Sequence, residues 1–235
     1  MPVGCANAVF NDFVKLRLVN LGKWTRGGLL LVAFAGVGLL ILLIMDWRSF
    51  RSCANYPPRR GSWVLISGEL MRPGPDRNAS LPLLLGQHVG RPVLDLNLGV
   101  TTSVKLLQRI GDLEKSYPSV VIVCLGPVDL GYLKGTREFF DEMRQIILSM
   151  ESLGVFVVVL EVPDDEFARV GVDEDGQHFR ELARSTKAFF IPNVLEGVIG
   201  SREFTVDYRR PNAKGYDYIA YRVARRLESV AWKTR

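Results

Sequence analysis

The sequence predicts an α/β domain, three α/β/α layers with a parallel sheet in the middle, preceded by one transmembrane helix. Three observations carry this reading. Short runs that are apolar at nearly every position, Trp63–Ser67, Val120–Leu125 and Val155–Leu160, read as strands buried on both faces. Stretches with apolar residues at helical spacing separate them, the alternation that builds parallel crossovers. Upstream, Gly27–Met45 (GGLLLVAFAGVGLLILLIM) carries no charge and no proline.

That upstream segment, at about 1.5 Å per residue, matches a hydrocarbon core roughly 30 Å thick. Trp24 and Trp47 flank it at the depth of aromatic belts. It starts too late and runs too long for a cleaved signal peptide. The expected organisation is an N-terminal tail over 1–26, a membrane span over 27–47, a linker over 48–61 marked by Pro57, Pro58 and arginines, and a domain over 62–235. Lys15, Arg17, Lys23 and Arg26 before the span nearly balance Arg48, Arg51, Arg59 and Arg60 after it. A short tail inside and a domain outside is the commoner signal-anchor arrangement, so a single-pass membrane protein with an extracytoplasmic domain is expected.

Through the domain the elements follow in order. The strand at Trp63–Ser67 ends at Gly68, and a helix is expected around Leu81–Val89. Val93–Leu96 reads as a strand. Ser103–Lys115 places Val104, Leu107, Ile110 and Leu113 on one helical face. The strand at Val120–Leu125 stops at Gly126, and Thr136–Leu153 is a long amphipathic helix closed by Gly154. The strand at Val155–Leu160 is followed by a helix at Gln177–Thr186, a last strand at Ala188–Ile191 and a final helix over Asn212–Trp232, lined by Ile219, Val223, Leu227 and Val230.

Composition narrows the function classes. The net charge of +5 is spread along the chain without a long Lys/Arg run or interleaved aromatics, so no nucleic-acid partner is expected. Three cysteines make no disulfide framework: Cys5 precedes the span, Cys53 follows it, and Cys124 lies in a buried strand. No C-x-x-C or H-E-x-x-H spacing occurs, and His88 and His178 are far apart. Neither metal nor cofactor is expected.

In a parallel sheet, ligands bind beyond the carboxyl ends of the strands, beside the switch point. The loops there read Ser67-Gly68-Glu69-Leu70-Met71-Arg72-Pro73-Gly74, then Asn97-Leu98-Gly99-Val100-Thr101, then Gly126-Pro127-Val128-Asp129, and, before the last helix, Asp207-Tyr208-Arg209-Arg210-Pro211-Asn212. This set resembles the SGNH (GDSL) hydrolase family over nearly all of Trp63 to the C-terminal helix. The resemblance implies a flavodoxin-like sheet and, in intact members, ester hydrolysis by a serine, a histidine and oxyanion-hole donors.

Carried over position by position, the resemblance places the family's glycine on Gly68, its aspartate on Glu69 and its nucleophilic serine on Leu70, which has no nucleophilic atom. Gly99 falls on the second motif's glycine and could offer a backbone N–H. Gly126 and Asp129 match the third motif, but the donor asparagine falls on Val128; loss of one such donor typically costs about 10²–10³ in rate. Asp207, Pro211 and Asn212 match the last motif, while the general-base histidine becomes Arg210, which stays protonated. No catalytic set is therefore expected.

Ser67 is expected inside the strand end. Ser103, Thr101 and Thr102 stand where N-caps stand, His178 at the surface, His88 half-buried in its helix, and Asn212 as the last helix's N-cap. Glu69, Arg72, Asp129, Asp207 and Arg210 gather at the same strand ends under this alignment. They are expected either to pair among themselves, Glu69 or Asp207 with Arg210, or to bind a polar ligand such as a carbohydrate or carboxylate through Arg210. The expected function is a membrane-anchored SGNH-like pseudoenzyme, a binding or assembly module of envelope polysaccharide or acyl-group modification. Its expected partners are the bilayer through residues 27–47 and a membrane protein or carbohydrate. The alternative is an active esterase or acyl hydrolase with a displaced site.

Overall fold

The computed structural model describes residue 36 and residues 50–72, 79–97, 103–115, 117–130, 136–162, 177–207 and 209–233. Five parallel strands form one sheet: β1 (Ser62–Ser67), β2 (Val93–Asn97), β3 (Pro118–Cys124), β4 (Phe156–Leu160) and β5 (Phe189–Ile191). Their order is β2-β1-β3-β4-β5. β1 sits between Val93–Asn97 on one side and the run from Pro118 to Cys124 on the other, with Leu65 opposite both Asp95 and Ile122. The order reverses between β1 and β3, so the loops after these two strands flank the switch point.

The strands that read as apolar throughout are the ones buried throughout. Every residue of β3 and β4 is buried, whereas edge strand β2 exposes Leu94 and Asp95. The helices are α1 (Leu81–Val89), α2 (Ser103–Glu114), α3 (Thr136–Ser152), α4 (Gln177–Thr186) and α5 (Ala213–Lys233). α1 packs on α5, while α2, α3 and α4 pack in series. Right-handed crossovers account for the two groups: α1 carries the chain toward one edge of the sheet and α2 to α4 toward the other, on opposite faces. Each strand and helix predicted after residue 61 is present, with ends moved by at most two residues. The largest shift is at β3, which begins at Pro118 because that residue pairs with Ser62 across from β1.

The stretch expected as a linker belongs to the domain instead. The chain divides into Met1–Arg48 and Ser49–Arg235, so the boundary falls well before residue 62. Phe50 is 4% exposed, its ring stacked on Phe189 at 4.3 Å and on Tyr56 at 5.7 Å. Asn55 donates to the carbonyls of Glu151 and Val155, and Arg59 to those of Leu153 and Pro118. Proline and arginine content suggested a loose tether. Here the arginine instead satisfies carbonyls at a helix end and a strand start, which need partners wherever water is excluded.

Among the described residues no helix is long and apolar enough to cross a membrane. Of the expected span only Gly36 is described, and it is helical; the rest of Gly27–Met45 lies outside the described residues.

Candidate functional site

β1 runs into Gly68 and then into a single 3₁₀ turn, Glu69–Met71. β3 runs through Gly126 into another, Pro127–Leu130. Asp129 locks the two turns together. It is 4% exposed; one carboxylate oxygen accepts from the Glu69 backbone N–H at 2.7 Å and the other from the Gly126 N–H at 2.9 Å. Gly68 makes this possible, since a Cβ there would stand 1.9 Å from the Asp129 carboxyl carbon. A buried carboxylate stays affordable only with such donors.

Both carboxylate oxygens of Asp129 accept from the backbone, holding the loops in shape. Leu70, at the position the family gives its nucleophile, is 6% exposed. Its neighbour Met71 is 1% exposed, and the Arg72 carbonyl accepts from the Tyr216 hydroxyl at 2.8 Å. That bond ties the first loop to α5. Burial pushes the Tyr216 phenol above its ordinary range, so it acts as a donor with its proton in place.

The segment before α5 is a tight turn closed by the Thr205–Pro211 bridge and by the Val206 N–H on the Arg210 carbonyl at 2.9 Å. Asp207 organises it. One of its oxygens accepts from the N–H groups of Arg209 and Arg210, and the other from Arg210 Nε at 2.7 Å. The backbone bond from Arg210, then the side-chain bond from the same residue, hold the Asp207 carboxyl down to about 2. The Arg210 guanidinium is pushed up by its bond to Asp207 and, more weakly, by the Glu69 charge, which places these groups at one end of the sheet. Glu69 itself pairs with Arg72 at 3.4 Å. Asn212 caps α5, its side-chain oxygen accepting from the Gly215 N–H at 3.1 Å.

The predicted pairing of Asp207 with Arg210 is present, and Glu69, Arg72, Asp207 and Arg210 share the carboxyl end of the sheet. The position that would hold a general base holds a cation locked to the neighbouring carboxylate. Gly99, Thr101 and Thr102 lie outside the described residues, as does the side chain of Val128. Ser67 is 1% exposed at the end of β1, in keeping with a strand residue. His178 is exposed and stacks on Phe140 at 5.3 Å. His88 lies on α1, where Nε2 is 2.9 Å from Asp217 Oδ1. Among the described residues no group of His, Cys, Asp and Glu has the arrangement of a metal site.

Sequence reasoning missed Tyr216, an aromatic on a helix face that otherwise reads as core. It named Asp129 as a candidate without anticipating its bonds to the Glu69 and Gly126 N–H groups. Gly68 and Asp129 were each visible, but their mutual fit depends on how β1 and β3 stand side by side.

A scan against protein-family models gives no match, and neither does a search of the curated proteins. Solved structures do match. The esterase EstA from Pseudoalteromonas sp., in a structure inhibited by monoethylphosphonate, aligns with TM-score 0.57 and 16% identity over 74% of this chain and 100% of its own. TesA aligns with TM-score 0.60 and 19% identity over 72% of this chain and 99% of its own. A putative lipolytic protein of the G-D-S-L family from Desulfitobacterium hafniense aligns with TM-score 0.56 and 17% identity, covering 72% and 100%. At such identities the likeness speaks for the backbone, and it spans the whole of these proteins. The domain from Ser49 to Arg235 therefore has the SGNH/GDSL hydrolase fold.

Proposed function

We propose that this chain is a membrane-anchored SGNH-fold module that binds or assembles rather than hydrolyses, within envelope polysaccharide or acyl-group modification. The observation that carries the reading is the pair of replacements at the carboxyl end of the sheet. Leu70 is buried where a serine nucleophile would stand, and Arg210 is bound to Asp207 where a base would stand. Neither can perform its counterpart's step: a leucine has no lone pair to attack with, and a guanidinium has no site for a proton. The clamp of Asp129 on Gly126 and Glu69 supports a retained scaffold, shaped by the same loops that carry chemistry in hydrolases of this fold. Glu69, Arg72 and Arg210, all partly exposed, are the side chains offered to a polar ligand or partner.

The deciding experiment is fluorophosphonate labelling of the full chain beside an ester-hydrolysis assay. Absence of both in a folded sample is expected. Labelling with turnover would overturn the reading in favour of an esterase with a displaced nucleophile, and mapping the adduct would identify the serine.

A further inference from the structure

The amino end of the sheet carries a concentration of charge that the candidate site does not use. The segments that meet there are 50–61, 90–92, 151–155 and 187–188, together with Lys115 and Tyr117. Their meeting is fixed by contacts: Arg59 reaches the carbonyls of Leu153 and Pro118, the Ala54 N–H donates to the Lys187 carbonyl, and Arg91 stacks over Trp63, the second residue of β1. These segments hold six basic residues, Arg51, Arg59, Arg60, Arg91, Lys115 and Lys187, against the acidic Glu151 and, adjoining Lys115, Glu114. Residues 49–235 as a whole hold 25 basic and 23 acidic residues, so this end is far more basic than the domain around it. Five of the six are exposed, with Arg91 half-buried, and beside them Tyr117 is 73% exposed.

We propose that this end of the domain is a docking face for an anionic lipid surface, and the proposal rests on reading Gly27–Met45 as a membrane anchor. Two further observations choose lipid as the occupant. The chain enters the domain at this end, since Phe50 is seated there, and Phe50 is only five residues beyond Met45. Five extended residues reach no more than about 18 Å. The headgroup zone is also where an exposed tyrosine ring beside arginines and lysines is best accommodated. Basic residues near an anionic leaflet each add attraction that fades within about 10 Å at 0.1 M salt.

Glu151 does not cancel the face. Burial pushes its carboxyl up to about 7, while the nearby Lys187 pulls it back, so near neutrality it is only partly charged. The consequence for function is geometric. The loops of Glu69, Arg72 and Arg210 leave the opposite end of the strands, and β3 alone, seven residues long, separates the ends by about 23 Å.

The test uses the full chain with vesicles of phosphatidylcholine alone or mixed with phosphatidylglycerol, both carrying a headgroup-linked quencher. A fluorophore is placed on Tyr117→Cys in a Cys5→Ser, Cys53→Ser background, and the control fluorophore on Glu203→Cys near the site. Flotation with neutral vesicles at high salt reads the anchor by itself. Quenching at position 117 well above that at 203 is expected, greater on the mixed vesicles, with roughly half of the excess lost in Arg60→Glu/Lys187→Gln or on raising the salt. Equal quenching at the two positions, or an excess indifferent to lipid charge, overturns the face while leaving the anchor standing. Failure to float with neutral vesicles removes the anchor, and the face is then read by binding to the mixed vesicles. About 30-fold weaker binding by Arg60→Glu/Lys187→Gln supports it, and unchanged binding overturns it.

Discussion

The two ends of the sheet spend their charge differently. At the carboxyl end the charges turn inward: Asp129 is consumed by two backbone N–H groups, Glu69 meets Arg72, and Asp207 meets Arg210. At the amino end the converging segments hold six basic residues, against Glu151 and, next to Lys115, Glu114. One end pairs its charges within its own loops, while the other carries an excess of basic side chains, most of them exposed. At the carboxyl end the Asp129 bonds to the Glu69 and Gly126 N–H groups thus hold the first and third loops in shape.

The strongest way to break this comparison is at Gly68. An alanine methyl would collide with the Asp129 carboxyl group, so either the clamp opens or the strand end moves. Gly68→Ala should cost about 3 kcal/mol or more, read as a fall in the denaturation midpoint. Asp129→Ala should cost somewhat less, about 2–4 kcal/mol, because two buried N–H groups lose a charged acceptor. The double variant should cost much less than the sum, since both changes release the same contact. Additive costs would mean that the two residues hold separate structures and that the carboxyl end is not locked as described.

At the other end the corresponding change is Phe50→Ala. Removing a ring stacked on Phe189 and buried to 4% should cost about 3 kcal/mol. A loss within about 0.5 kcal/mol, the range of ordinary surface changes, would return residues 48–61 to the role of a flexible tether.

These residues also show what the sequence could and could not reveal. β3 and β4 were legible because a strand covered on both faces must be apolar at every position, and nothing else imposes that pattern over so few residues. α3 and α5 were legible from their periodicity. The loops after β1 and β3 were legible because Gly68 and Gly126 mark where those strands stop. Phe50 was not legible, because its partner Phe189 stands more than a hundred residues away and Pro57-Pro58 imitates a linker. The Asp129 clamp and the Tyr216 hydroxyl bond were hidden for the same reason: each joins segments whose adjacency is a product of strand order rather than of sequence distance.

A smaller effect sharpens the amino end. Burial raises Glu151 from 4.5 to about 7, so the folded protein holds a proton there that the unfolded chain releases between those values. Stability from this group is therefore full below about pH 4.5 and declines as pH rises toward 7. Glu151→Gln should remove the decline, gaining about 1 kcal/mol at pH 8 once partial exposure is discounted, and nothing at pH 4. Equal gains at both values would assign the effect to packing rather than to charge.

The smallest effect lies in the Asp207–Arg210 pair, and it bears most directly on what the carboxyl end can bind. Asp207 sits below its ordinary value because the Arg210 backbone, then the Arg210 side chain, favour the carboxylate. The sign follows: its contribution is present above about pH 4 and is lost as pH falls through about 2. Solvent screens an exposed pair, so comparing Asp207→Asn with the parent chain across this window should give the slightest stability change of the four tests. The sharper readout is the carboxyl's own titration by NMR, expected near 2. A midpoint near 3.8 would mean that Arg210 is not held by Asp207 in solution. Its whole guanidinium would then be available as a two-pronged contact for a carboxylate, a stronger anion contact than one already shared with Asp207.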